Sequence, residues 1–216
     1  MPVAATSTLY QIEAQLRAAL QSPEPRHETH AAFAPRPRSG WQAGVIPPEA
    51  RAAAVLVLLY PVRCHVHFVL TRRARTMGQH AGQVSLPGGA LDEGESVEAA
   101  AVREAREEIG LPVNGLRTLG RLSPLYIPVS NFALHPVVAV LDQHPVLVPA
   151  TAEVARILEV QIRELRDPTS LKHGWRWRDE DTIAVPYFEL QGERVWGATA
   201  MVLGELLSLL KDNRTD

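Results

Sequence analysis

Three glutamates, Glu104, Glu107 and Glu108, recur at i, i+3 and i+4. On a helix this spacing puts all three within roughly 100° of one face. Like charges so placed cost about 0.2–0.5 kcal/mol per pair, and Arg103, four residues before Glu107, offsets only part of that. A hard divalent cation would more than remove the repulsion. Mg²⁺ takes oxygen ligands, binds through a few carboxylates and completes its shell with water and substrate phosphate. A solvated acidic face is the simpler alternative, and for "EAREE" alone it would be preferred. The upstream context favours the metal. Gly88 and Gly89 let a ligand approach the backbone closely. Residues 90–94 then return the chain to a helix start, where free N–H groups favour anions.

These residues resemble a known pattern. Gly89, five residues, Glu95, seven residues and then "REAREEIGL" match the Nudix box, G-x5-E-x7-R-E-U-x-E-E-x-G-U, where U is bulky and apolar. Gly89, Glu95, Arg103, Glu104, Glu107, Glu108, Gly110 and Leu111 fit, while Ala105 is small for its position. The resemblance implies hydrolysis of a nucleoside diphosphate derivative with Mg²⁺ or Mn²⁺. It also implies that Glu104, Glu107 and Glu108 hold the metal, helped by the Gly89 carbonyl, and that Arg103 and Glu95 fix loop to helix. The metal would neutralise the pyrophosphate and activate a water, so Glu107 and Arg103 count among the catalytic candidates.

Specificity lies outside the box. The preceding "LTRRARTMGQHAGQVSLPGG" resembles the segment before the box in coenzyme A pyrophosphatases. Leu70, Thr71, Arg73, Ala74, Met77, His80, Gly82, Gln83, Val84, Ser85 and Pro87 fit. Gly78 departs where a basic residue is usual, and Leu86 stands for phenylalanine. "VWGATAMVL" is similar to that subfamily's closing helix. This resemblance implies cleavage of coenzyme A or its derivatives to 3′,5′-ADP and 4′-phosphopantetheine. The alternative is another nucleoside diphosphate derivative such as ADP-ribose. A non-catalytic nucleotide sensor is disfavoured, because every box carboxylate is present.

Cations are needed for such a ligand besides the metal. Arg72, Arg73, His80, Gly82 and Gln83 are the substrate-binding candidates, with Arg73 and His80 expected to meet phosphate oxygens. Arg75 is expected to be solvated, and Gln83 packs or binds with equal weight. The general base is sought on a later loop. "PATAEVARILEV" offers Glu153, which follows a loop containing Pro149, and Glu159. Glu153 is the choice, with a surface helix-capping role almost as well supported. Asp92 and Glu93 are weaker candidates. His65 and His67 alternate on a strand without a third ligand and read as strand residues rather than a zinc site. Trp175 and Trp177 fit a cross-strand aromatic pair better than a base-stacking platform. Cys64 is expected to pack.

What must position these groups is a chain of 216 residues, 46% hydrophobic and 21% charged. That is enough for one domain with a sizeable core, or one domain with an arm. A net charge of −2 gives no general pull toward nucleic acid or anionic membranes. One cysteine excludes an internal disulfide framework and suits a reducing compartment, and the N-terminus does not read as a signal peptide. The expected location is cytoplasmic, the expected partner is a small nucleotide, and a homodimer is left open. Leu9, Ile12, Leu16 and Leu20 predict a helix over 7–21, and residues 22–50, rich in proline and alanine, predict an irregular arm. The domain proper is expected over 51–216. "AVLVLLY" and "HVHFVLTRR" predict a hairpin about a Pro61 turn, Ser96 to Ile109 predicts a helix packing Val102, Ala105 and Ile109, and "LHPVVAVL" and "TIAVPYFEL" predict strands. "TAMVLGELLSLLK" predicts an amphipathic helix. The expected fold class is α+β, a Nudix-like α/β/α sandwich with a mixed sheet between helices.

Overall fold

Both faces of strand β1 (Arg51–Val62) are buried. Ala53, Val55, Val57 and Leu59 enter one core, and Ala54, Leu56, Leu58 and Tyr60 enter another. That alternation is the two-residue period of a strand, and a strand apolar on both sides belongs in the middle of a layered domain. The computed structural model describes residues 3–21, 26–36, 40–74, 82–178 and 181–210. Among them, no helix is long and apolar enough to cross a membrane.

The main sheet is mixed. β1 runs parallel to β7 (Phe132–Val140) and antiparallel to β2 (His65–Arg73). β3 (Val84–Ser85) and β8 (Val154–Gln161) pair with β2, while β5 (Arg117–Arg121) and β6 (Leu125–Ile127) pair with β7. β2 pairs with β1 only over Leu59–Val62 and then diverges. The edge of β1 that it leaves, Ala53 to Val55, is taken by β4 (Gly88–Ala90). This split brings the double glycine into the middle of the sheet. α3 (Val97–Ile109) covers one core, whereas α1 (Val3–Leu20) and α5 (Ala198–Leu209) belong to the other. The result is the expected α/β/α sandwich. A second sheet follows, β9 (Leu171–Arg178), β10 (Asp181–Leu190) and β11 (Glu193–Trp196). Gln191 and Gly192 join β10 to β11 with φ of 51° and 76°, the left-handed pair of a tight hairpin.

Several expectations are corrected in detail. The β1–β2 hairpin turns at Arg63–Cys64, and Pro61 stays in β1 opposite Val66. Proline is tolerated there because the β1–β7 ladder has ended at Leu59 and Val140. Cys64 is exposed on that turn and does not pack. Within α3 the packed residues are Ala100, Ala101, Ala105 and Ile109, and Val102 is only half-buried. α5 is not amphipathic, since every residue from Thr199 to Leu206 is buried. The arm is not wholly irregular, because α2 (His27–Phe33) forms within it and lies against α5. Arg36 then exchanges backbone hydrogen bonds with Ala184 of β10 at 2.8 and 2.7 Å. Glu205 of α5, fully buried, explains the docking. It meets His30 Nε2 at 2.7 Å and accepts from the Ser123 amide and hydroxyl at 3.0 and 2.8 Å.

Candidate active site

The helix carrying the acidic cluster is defined at both ends by its own sequence. Ser96 accepts from the Ala99 amide at 3.2 Å as N-cap. Gly110, at φ 62°, closes the C-terminus in the left-handed conformation that glycine favours. Beyond it, residues 142–153 fold back on α3. The Val148 amide donates to Ile109 O at 2.9 Å, and the Ala150 amide to Glu108 O at 2.8 Å. Those bonds bring Glu153 to the helix end.

Arg103 organises the approach to the helix. It grips Glu95 with two bonds of 3.0 and 2.9 Å and donates to Ala90 O at 3.0 Å. It also holds Glu104 at 2.8 Å and Glu107 at 3.3 Å. The Glu95 carboxyl is held below its usual range chiefly by the Arg103 hydrogen bonds. This is a clamp between loop and helix, the role implied by the resemblance, and it fits Arg103 as a positioning group.

The double glycine is needed for space. A Cβ on Gly88 would collide with the Ala54 carbonyl and lie 2.6 Å from Val55 Cα, and a Cβ on Gly89 would lie 2.5 Å from the Glu104 carboxyl carbon. The Glu104 carboxylate thus rests against the Gly89 main chain. Glu108 points inward and is 5% exposed. Its Oε2 is buried with no hydrogen-bond partner among the described residues. Burial pushes its carboxyl up to about 7; Arg73 opposes this, and Glu104 and Glu153 add to it. Arg73, Glu104 and Glu153 therefore each lie within electrostatic reach of Glu108. Glu107 is more peripheral, its side chain 61% exposed.

Whether these residues suit a divalent cation can be judged on that geometry. Among the described residues no three such groups converge on one point, because Arg103 holds Glu104 and Glu107. The donor set does fit: all donors are oxygens, and a buried carboxylate oxygen without a partner is a strong incentive to bind a cation.

A cavity of about 550 Å³ opens beside the box, lined in part by Arg73, Gln83, Ser85 and Gly88. Among the described residues the Arg73 guanidinium forms no ion pair. Gly82, at φ 72°, makes the turn that returns the chain to Arg73, its amide donating to Arg73 O at 3.2 Å. Arg72, expected beside the substrate, instead pairs with Glu193 of β11 at 3.0 Å. A register shift between Arg72 and Arg73 separates the two side chains. His80, Arg75, Met77 and Gly78 lie outside the described residues. Glu159 belongs elsewhere, accepting from Tyr60 Oη at 2.9 Å and meeting His144 at 2.7 Å. Asp92 lies 3.5 Å from Arg103 and belongs to the clamp.

Sequence reasoning missed part of the cavity lining. Pro35, Ile183, Arg176 and Trp196 belong to it, and the Arg176 guanidinium sits 4.1 Å above the Trp196 ring. Trp175 is 74% exposed and faces Ala184 across the sheet, so it forms no cross-strand aromatic pair. Arg176 and Trp196 are 20 residues apart with a whole strand between them, and only the sheet brings them together.

The NUDIX domain model matches residues 50–193. The chain is 35% identical over 167 residues to "Uncharacterized Nudix hydrolase NudL" of Pectobacterium atrosepticum, covering 76% of this chain and 85% of that protein. It is also 35% identical over 159 residues to the protein of the same name from Photorhabdus laumondii, covering 72% and 83%. Among solved structures, "Crystal structure of a Nudix Hydrolase from M. Smegmatis, RenU" is 28% identical, with a TM-score of 0.47 over 60% of this chain and 84% of that one.

Proposed function

The chain belongs to the Nudix family, is a hydrolase of nucleoside diphosphate derivatives, and on that premise we propose that it cleaves the diphosphate of coenzyme A or a derivative. One observation carries this reading. Arg73 and Gln83, from the segment that resembles coenzyme A pyrophosphatases, line a cavity together with Gly88, the residue before the box. Arg73 there supplies a guanidinium with two parallel donors for phosphate oxygens.

Bound at Glu104, Glu108 and the Gly89 carbonyl, with Glu107 at its edge, Mg²⁺ or Mn²⁺ would neutralise the diphosphate and lower the pKa of an attacking water. The chain's own groups do the rest. Glu153 takes the proton from the water as its oxygen attacks phosphorus and the bond to the bridging oxygen breaks. Arg73 stabilises the charge spread over the phosphate oxygens. The Arg103 clamp keeps loop and helix in register so that the carboxylates are already aligned. The products are 3′,5′-ADP and 4′-phosphopantetheine.

The test is turnover of coenzyme A, dephospho-coenzyme A and ADP-ribose with Mg²⁺, with Mn²⁺ and with chelator, products identified by mass. Coenzyme A should have the highest kcat/KM and require metal. Glu153→Gln should lower kcat by about 10²–10⁴-fold. Faster cleavage of ADP-ribose than of both coenzyme A forms would reassign the substrate, and full activity in chelator would refute the metal.

A further inference from the structure

The cavity beside the box holds two arginines and no carboxylate among its described lining residues. They do different work. Arg73 is coupled to the buried Glu108 and belongs to the reacting end. Arg176 comes from the second sheet. Among the described residues it forms no ion pair, whereas its neighbours on that sheet do: Lys172 pairs with Glu189, and Arg72 of β2 takes Glu193.

Its geometry is that of a prepared donor. A guanidinium lying on an indole face is attracted by the ring, and its N–H groups, which lie in its own plane, stay available at the edges. The Trp196 platform also reduces the side-chain freedom lost when an anion is gripped. Much of the remaining lining is apolar, including Val55, Leu134, Ile183 and Val202. Arg176 is exposed and Arg73 half-buried, so the N–H groups of both guanidinium groups are accessible to an anionic ligand. Two separated anionic centres on one ligand satisfy both.

We infer that Arg176, held on Trp196, is a specificity-determining residue that binds a second phosphate of the nucleotide, a monophosphate ester distinct from the diphosphate that is cleaved. The inference rests on the coenzyme A reading, whose substrate carries such a phosphate. Arg176 does not touch the reacting atoms, so its loss should act on substrate discrimination and leave the chemical step alone.

The experiment has a binding arm and a kinetic arm, on the full chain. In chelator, titration calorimetry compares 3′,5′-ADP with 5′-AMP. The wild type should prefer 3′,5′-ADP by about 10-fold or more, the usual size of one charge-assisted phosphate contact. Arg176→Gln should bring that ratio near one without changing the affinity for 5′-AMP. Arg176→Lys should fall between, and Trp196→Phe, which keeps an aromatic face, should retain most of the preference. In the kinetic arm, Arg176→Gln should lower kcat/KM for coenzyme A to that for dephospho-coenzyme A, through KM with kcat unchanged. A preference that survives Arg176→Gln, or equal weakening of both nucleotides, overturns the proposal. If the binding preference and its loss are seen but coenzyme A is not cleaved, the phosphate site stands and the substrate reading falls. If coenzyme A is cleaved but the wild type shows no preference, the reverse holds.

Discussion

Replacing Glu108 by glutamine tests the metal end of the site through stability alone. Burial raises the Glu108 carboxyl from 4.5 to about 7. At about 1.4 kcal/mol per pH unit, that rise amounts to roughly 3 kcal/mol. The sign follows from the direction. A carboxyl with a raised folded-state pKa stabilises the fold while protonated, fully below pH 4.5, and loses that contribution as pH rises through about 7. Glutamine has the same shape and never titrates, so the difference between wild type and Glu108→Gln isolates the effect. His67 and His135, both lowered mainly by burial, slope the other way and cancel in the comparison. Urea unfolding in chelator at pH 5, 6, 7 and 8 should therefore show the wild type losing about 2.5 kcal/mol against the variant between pH 5 and pH 8. Millimolar Mn²⁺ at pH 8 should restore the wild type and leave Glu108→Gln nearly unchanged. Parallel stability curves for the two proteins, with equal gains from Mn²⁺, would refute both the burial argument and the ligand role of Glu108.

Three further outcomes are expected. Glu107→Gln should lower kcat by orders of magnitude with stability within about 0.5 kcal/mol of wild type, because its side chain is largely exposed and the helix loses a repulsion; unfolding curves beside steady-state rates decide it, and a wild-type rate would remove Glu107 from the metal site. Arg73→Ala should lower kcat/KM for coenzyme A by about 10- to 150-fold with Mn²⁺ affinity not reduced, and Arg73→Lys should recover only part for want of the planar fork. An unchanged kcat/KM would make the upstream segment structural. Glu205→Ala should destabilise by about 3–5 kcal/mol, since buried His30 and Ser123 lose their common acceptor, and a loss below about 1 kcal/mol in urea unfolding would show that the pair carries no weight.

The reacting end was legible because it is nearly contiguous. From Gly88 to Gly110 the tight approach, the capped helix, the clamp and the carboxylates are set by spacing within one segment, and helical periodicity reports directly which side chains share a face. β1, β2 and β7 of the main sheet were legible from their apolar runs, whereas β3, β4, β5, β6 and β8 were not. Local pattern failed where tertiary contacts decide. α5 offered an apparent polar side in Glu205, yet that residue is fully buried and α5 is apolar on all sides. α2 is only seven residues long, too short to be stable alone, so proline-rich flanks concealed a helix that exists through its contact with α5. A lone acid inside "TAMVLGELLSLLK" was the available signal, because an ionisable group in a continuous apolar run either breaks the helix or has a buried partner.

The box and the cavity lining follow from different kinds of constraint. At the box, beside the cavity, a misplaced carboxylate would lose the proposed cation, and one segment with its own caps and clamp holds the tolerance. In the lining Pro35, Ile183, Arg176 and Trp196 come from three separate parts of the chain, and their alignment depends on the arm being fixed to the domain. A buried ion pair adds little net stability compared with apolar packing, but it penalises every arrangement that separates its members. The His30–Glu205 pair, with Ser123 as its third member, therefore selects one seating of α2 on α5. From the end of α2 it is three residues to Arg36, whose two bonds to Ala184 tie the arm to the sheet bearing Arg176. By this route a buried hydrogen-bonded pair outside the cavity lining fixes the part of that lining that carries Arg176.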